Sequence, residues 1–342
     1  MGATRKSFPK STHTESMKLL VTTPTLLLHV DTTTSKSQRV EFHRPGYYGI
    51  TWDLAGKTLM LGHGDTAKPK PTRSGPLYAA GWISAERGRS PSILSNSHQL
   101  LAIDDRVVAT NTGQSCLTVF RTDDWFYRHY STDDARGFCY DDNDPGDRQF
   151  NSIFYQKDQL YAVANTRRGH SEIIRFFWPE MEVIQVSQTN VSLAHNIWVS
   201  EAGQQIICDS TQGRIIDAEN GDILWASALE ACFVRGIATD GDALVVGQSP
   251  APSGGKEDDR RSSLAIIDCE TWKTLETIYL PDAERIHDIR ILDRPDLCHH
   301  GAIFRRPLEP RQSANAETRG SYVLDEAHRS LPHMRAATSN HS

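Results

Sequence analysis

The sequence predicts an all-β chain closed into a six-bladed β-propeller, and three observations carry that prediction. Short apolar runs with period-two alternation recur along most of the chain. A three-residue motif returns six times at intervals of 40 to 53 residues. The N-terminal residues supply the strands that the last repeat lacks. Helical periodicity is nowhere sustained for three turns.

The motif reads Tyr48-Gly49-Ile50, His98-Gln99-Leu100, Asn151-Ser152-Ile153, His195-Asn196-Ile197, Arg235-Gly236-Ile237 and His287-Asp288-Ile289. Its first members lie 50, 53, 44, 40 and 52 residues apart. Repeats of about 40–50 residues built from short strands are the signature of propeller blades.

Each element follows in chain order. Residues 19–22, 26–30 and 39–43 read as strands two to four of a blade without its first strand. Their pattern matches the fifth unit: an apolar strand, a Thr/Ser/Pro break, a strand ending in Val-Asp or Ile-Asp, a polar turn and a strand before a proline. The second unit opens with strands at 100–103 and 107–110, the third with 153–155 and 160–164. The fourth has 197–199 and 206–208 around Ala202-Gly203; the fifth has 237–239 and 244–247 around Asp240-Gly241. Asp-Gly between apolar runs marks a hairpin, because Gly supplies the positive φ of a tight turn.

Third strands follow at 117–120, 173–176, 214–217 and 264–268, and fourth strands at 125–130, 182–186, 223–226 and 274–279. The last motif, 287–292, gives an inner strand with little regular sequence after it. Joined to the N-terminal strands it closes the ring, which removes exposed edges. The propeller is therefore expected over 17–304, with 1–16 disordered and 305–342 a polar tail, mostly disordered or loosely docked.

Among 342 residues the net charge is −6, so no global basic field points to nucleic acid. The pairs Arg260-Arg261 and Arg305-Arg306 are too short to change that. No stretch approaches the roughly 18 apolar residues of a membrane span, and the first residues lack the apolar core of a signal peptide. The six cysteines are scattered without a C-x-x-C pair, and Cys116, Cys208 and Cys269 fall in or beside apolar strand runs. A cytoplasmic, reduced protein is expected.

In a propeller, two sets of loops share the face where the inner strands begin. The longest irregular segments, 64–76, 131–150 and 249–262, fall in those sets. The segment 141–147 (DDNDPGD) offers carboxylates for Ca²⁺ but lacks the spacing and closing Glu of an EF-hand loop, so a plain solvated loop stands beside that reading.

The same face holds the six motif residues. His98, His195 and His287 come from alternate blades, and three neutral imidazoles on one axis suit a divalent transition metal: Fe, Mn, Zn or Cu. Arg235 offers a planar fork for a carboxylate or phosphate, Asn151 a substrate or water contact, and Tyr48 a proton donor or orienting hydroxyl. Asp288 is expected to face the other side of its strand. His63 is a weaker fourth candidate, and His299 and His300 are expected to be incidental. Against the metal stands a structural reading, in which each His caps its strand and bonds a neighbouring blade.

With these motifs, residues 17–304 resemble the six-bladed propellers that include the SMP-30/gluconolactonase group and NHL-repeat proteins, and the seven-bladed virginiamycin B lyase. The resemblance is architectural. The gluconolactonase group binds its metal through an acidic residue, Asn and Asp, whereas this ring carries His. In that respect it looks more like carotenoid oxygenases and oligogalacturonate lyase, whose inner-strand histidines hold iron or manganese.

Two functions remain open at the level of sequence. One is a metal-dependent lyase, hydrolase or oxygenase acting on a small anionic molecule. The other is a non-catalytic propeller that binds a protein or peptide on its loop face. The Gly-His and Trp-Asp signatures of WD40 scaffolds are absent in register.

Overall fold

A computed structural model of the chain describes residues 16–42, 44, 46–64, 81–86, 88–132, 148–251, 262–306 and 308. The described strands form six four-stranded antiparallel sheets. The chain begins with β1 (Lys18–Thr22), β2 (Leu27–Asp31) and β3 (Lys36–Glu41), three strands of what becomes the sixth blade. The first blade is β4 (Tyr47–Trp52), β5 (Leu59–His63), β6 (Trp82–Ala85) and β7 (Gly88–Arg89). The second is β8 (Leu100–Ile103), β9 (Arg106–Asn111), β10 (Cys116–Arg121) and β11 (Tyr127–Tyr130).

The third blade is β12 (Arg148–Gln156), β13 (Gln159–Thr166), β14 (Ser171–Phe177) and β15 (Glu182–Gln188). The fourth is β16 (Ala194–Val199), β17 (Gln205–Asp209), β18 (Arg214–Asp217) and β19 (Ile223–Ala226). The fifth is β20 (Cys232–Thr239), β21 (Ala243–Pro250), β22 (Ser262–Asp268) and β23 (Thr274–Leu280). Last comes β24 (Asp288–Ile291), which pairs with β1, Thr22 opposite Asp288 and Leu19 opposite Ile291. The six-bladed all-β architecture and its closure by N-terminal strands are as the sequence predicts.

Several boundaries differ, as at β20, which begins at Cys232 rather than 237. β3 runs from Lys36 and stops before residue 43, and β12 begins at Arg148, inside the span expected to be loop. The acidic run 141–147, most of the three long loops and most of both chain ends lie outside the described residues.

Burial explains the strand chemistry. Inner and second strands are covered by neighbouring blades on both faces, so β16 is buried throughout and β17 almost so, while the outer strand β15 is largely exposed. The apolar side chains fill the gaps between blades: Ile207 and Ile215 pack with Val234, Ile237 and Val246, and Val245 and Ile266 with Ile289 and Ile291. Each such side chain contributes roughly 1.5–3 kcal/mol on burial.

Polar clamps fix the angular register at the channel. Gln99 Oε1 accepts from the Ile153 amide at 2.8 Å, Asn196 Oδ1 from the Gly236 amide at 2.7 Å, and Asp288 Oδ2 from the Ile50 amide at 2.9 Å. Blades two, four and six thus hold blades three, five and one. The ring has threefold pseudosymmetry built from blade pairs. Gly49 allows the first two blades to approach, since a Cβ there would sit 2.3 Å from the Leu100 nitrogen.

The end of the channel away from the motif residues is crossed by the segment after β24. Asp296 accepts from the Ile291 and Cys298 amides, at 3.0 and 2.9 Å, and starts a short 3-10 turn, Leu297–His299. His299 Nε2 lies 2.6 Å from Thr51 Oγ1 and also accepts from the Trp52 amide at 3.4 Å. His300 Nε2 donates to the Ala102 carbonyl at 3.0 Å, and its ring meets Tyr155 edge-on at 5.2 Å. Arg294 pairs with Asp240 at 3.2 Å, and Leu297 and Cys298 join the apolar cluster of blades four and five. These partners stand at the far ends of the inner strands. His299 and His300 are therefore not incidental: they tie the channel floor together.

Candidate binding site at the channel mouth

All six motif residues come to the mouth, and local backbone irregularity helps aim them. The ladder between inner and second strands slips at Tyr47/Ile50, Phe150/Ser152, His195/Ile197 and Val234/Ile237. Such bulges turn a side chain out of the strict two-residue alternation. At the fifth blade Gly236 takes φ +80°, and a Cβ there would touch Ile286 and Ile289, so β20 lies close against the start of β24. His98 and His287 sit just before their strands, at the ends of connections.

The rings form a stacked series. His287 and Tyr48 have centroids 4.6 Å apart at 8°, Tyr48 and His98 6.0 Å at 10°, and His98 and His195 5.7 Å at 24°. Phe233 meets His195 edge-on at 5.4 Å. Asn151 hydrogen-bonds the His98 ring.

Two imidazoles are tethered from behind. His287 Nδ1 is 2.7 Å from the Tyr47 carbonyl, which can only accept, so this nitrogen carries the proton. His195 Nδ1 is 2.9 Å from Ser210 Oγ, and the ring also bonds the Leu193 backbone. His98 Nδ1 is buried without a partner.

Electrostatically the mouth is a cation among neutral rings. Burial, and then the Arg235 charge, hold His98 and His195 well below the ordinary imidazole range and push His287 down to about 3. Burial also raises the Tyr48 hydroxyl and lowers Arg235 to about 10. Arg235 nevertheless stays charged at neutral pH, and its Nη2 is buried without a hydrogen-bond partner. Among the described residues no carboxylate pairs with it. Asp288, whose charge reaches it, is already bonded to Arg290 at 3.1 Å and to the Ile50 amide. The exposed Arg285 adds a second positive charge that Arg235 and His287 both feel.

Among the described residues, no three His, Cys, Asp or Glu side chains form a group that could hold a metal ion. The blade of Tyr48 lies between those of His287 and His98, and its ring is stacked on both. His63 stands apart from the ring. It is fully buried in the first blade, with Nε2 2.7 Å from Ser84 Oγ and its ring packed on Tyr47 and Trp82.

Sequence reasoning missed Arg285 and the clamp roles of Gln99 and Asn196. For the clamps a signal was present: the residue after each motif histidine is Gln, Asn or Asp, each with a side-chain oxygen that can accept from a neighbouring strand.

No family model matches the chain, and no curated protein matches it. Solved structures do. One is a chain of a nidogen/laminin complex, with a TM-score of 0.60 at 12% identity, covering 85% of this chain and all of that one. A second is a protein of unknown function from Bacteroides caccae, with a TM-score of 0.51 at 10% identity, covering 81% of this chain and 99% of that one. A third is a calcium-binding regucalcin from Agrobacterium tumefaciens, with a TM-score of 0.45 at 12% identity, covering 70% and 75%. At such identities the likeness to the first two bears on the fold and on nothing of the chemistry. The chain is of the six-bladed propeller class. Among the described residues, no helix is long and apolar enough to cross a membrane.

Proposed function

We propose that this propeller is an enzyme that binds a small anionic molecule at the channel mouth. Arg235 anchors the acidic group, Asn151 and Tyr48 orient the rest, and the histidines exchange protons with it. The observation that carries this reading is the half-buried Arg235, which has no carboxylate partner among the described residues and whose Nη2 is buried without a hydrogen-bond partner amid uncharged side chains. A buried cation without a counterion is costly, and an anionic ligand removes that cost. The ligand's charge also offsets the guanidinium, which raises the basicity of His98, His195 and His287 and makes them better proton acceptors.

Calorimetric titration with inorganic phosphate, acetate and glycolate tests it. Wild type should bind at least one of these anions, and Arg235→Gln should weaken that binding at least tenfold. Absence of binding, or equal binding by the variant, overturns the proposal.

A second reading places Fe, Mn, Zn or Cu on His98, His195 and His287. It is favoured by the Nδ1 tethers of His195 and His287, since a ligand imidazole is commonly held through its other nitrogen. It requires the imidazoles to converge past the Tyr48 ring. Elemental analysis of wild type beside His195→Ala decides it: near-stoichiometric metal lost in the variant supports it. No metal after reconstitution with Fe(II), Mn(II), Zn(II) and Cu(II) removes it.

A further inference from the structure

The mouth offers its ligand a hydrogen-bond acceptor as well as a cation. The Tyr47 carbonyl fixes the proton of His287 on Nδ1, and the neutral ring then presents Nε2 as a bare lone pair. No partner takes that nitrogen among the described residues, and it is not one of the partnerless atoms closed off from solvent. The Tyr48 ring, stacked 4.6 Å away and nearly parallel, holds the imidazole plane, and a ring flip would forfeit the Tyr47 bond. β20 and β24 are neighbouring inner strands, with Gly236 against Ile286 and Ile289, and the charge of Arg235 reaches His287.

A plain carboxylate satisfies only half of this arrangement. All its polar atoms are acceptors, so the end that meets Arg235 is well held while the lone pair of His287 Nε2 faces another lone pair or nothing. A hydroxyl next to the acidic group resolves the conflict by donating to Nε2.

We infer that the anion taken at this mouth is a hydroxy acid, with Arg235 on its acidic group and His287 Nε2 accepting from its neighbouring hydroxyl. The inference rests on the anion-binding reading above and narrows it. A site built around a hydroxyl discriminates strongly against the analogue that lacks one, because the partner atom is then left unpaired.

The test compares acids that differ by one hydroxyl: glycolate against acetate, and lactate against propionate, titrated into the full chain at pH 7.5. Wild type should bind the hydroxy acid at least tenfold more tightly in each pair. His287→Leu should bring that ratio close to one, and Arg235→Gln should weaken all four acids together. Equal affinity within both pairs in wild type overturns the hydroxy-acid inference and leaves the anion site standing. So does binding of inorganic phosphate with no binding of any of the four acids. Failure of all five anions to bind overturns the anion site itself. The wild-type comparison needs no variant to fold.

Discussion

The two ends of the channel use similar residues to opposite ends. The mouth carries His98, His195, His287 and Arg235, and the floor carries His299, His300 and Arg290. At the floor, most polar atoms are spent on protein partners, although Arg290 Nη2 and His299 Nδ1 are buried without one. Arg290 donates to the Ile50 carbonyl and to Asp288, His300 to Ala102, while His299 accepts from Trp52. At the mouth, Arg235 has no counterion among the described residues and His287 Nε2 has no partner there. A buried cation with a carboxylate beside it is compensated, whereas one without is an uncompensated cost kept for something else. The counterion, not the residue type, separates scaffold from site: Arg290 has a carboxylate and Arg235 has none among the described residues.

The largest expected effect comes from breaking the paired end. Arg290→Ala leaves Asp288 buried without its cation and should cost about 3–5 kcal/mol in urea unfolding. A loss under 1 kcal/mol would erase the distinction drawn between the two ends.

Acid acts next, and on both ends at once. His98, His195 and His299 are held below the ordinary value of 6.5 chiefly by burial, with His287 pushed to about 3 and His300 to about 4. Their folded forms take protons less readily than their unfolded ones. The stability they leave intact above about pH 6.5 is therefore lost as pH falls towards 4, at about 1.4 kcal/mol per pH unit for each net proton. Asp288 and Asp296, raised by burial, Asp296 to about 6, work the other way. In that window they favour the folded state on acidification and soften the slope, but five imidazoles outweigh two carboxyls. Unfolding midpoints measured from pH 7.5 to 4 should fall; a flat or rising profile contradicts these shifts.

A smaller effect belongs to the clamps. Asn196→Ala leaves the buried Gly236 amide unpaired and should cost about 1–3 kcal/mol. Its anion titration should also weaken, because Gly236 follows Arg235. Smallest of all, Arg235→Gln should leave the urea midpoint unchanged or slightly raised. A marked loss there would make Arg235 a structural residue.

The fold was legible because each blade repeats one hydrophobic rhythm. β8, β18 and β19 run over the same residues that alternation and turn chemistry mark out. The incomplete N-terminal blade betrayed the closure by matching the fifth unit. The ring positions were legible too, since equivalent positions in successive units must fall at equivalent places around an axis. The floor was not. The short 3-10 turn Leu297–His299, capped by Asp296 and His300, lies outside any repeat, its histidines have partners 198 and 248 residues away, and no local pattern encodes such distant pairing. Nor can sequence tell which nitrogen of His287 holds the proton, because that depends on a carbonyl 240 residues earlier in the chain.

The pairing of β24 with β1 also sets a timetable. Thr22 meets Asp288 across 266 residues, so during synthesis the first strands must wait, with an edge unpaired, until nearly the whole barrel of blades has been made. His287 arrives in the same stretch of chain as β24. The last histidine of the mouth and the strand that locks the ring therefore emerge from the ribosome together, and a nascent chain shorter than this has neither a finished scaffold nor a finished mouth.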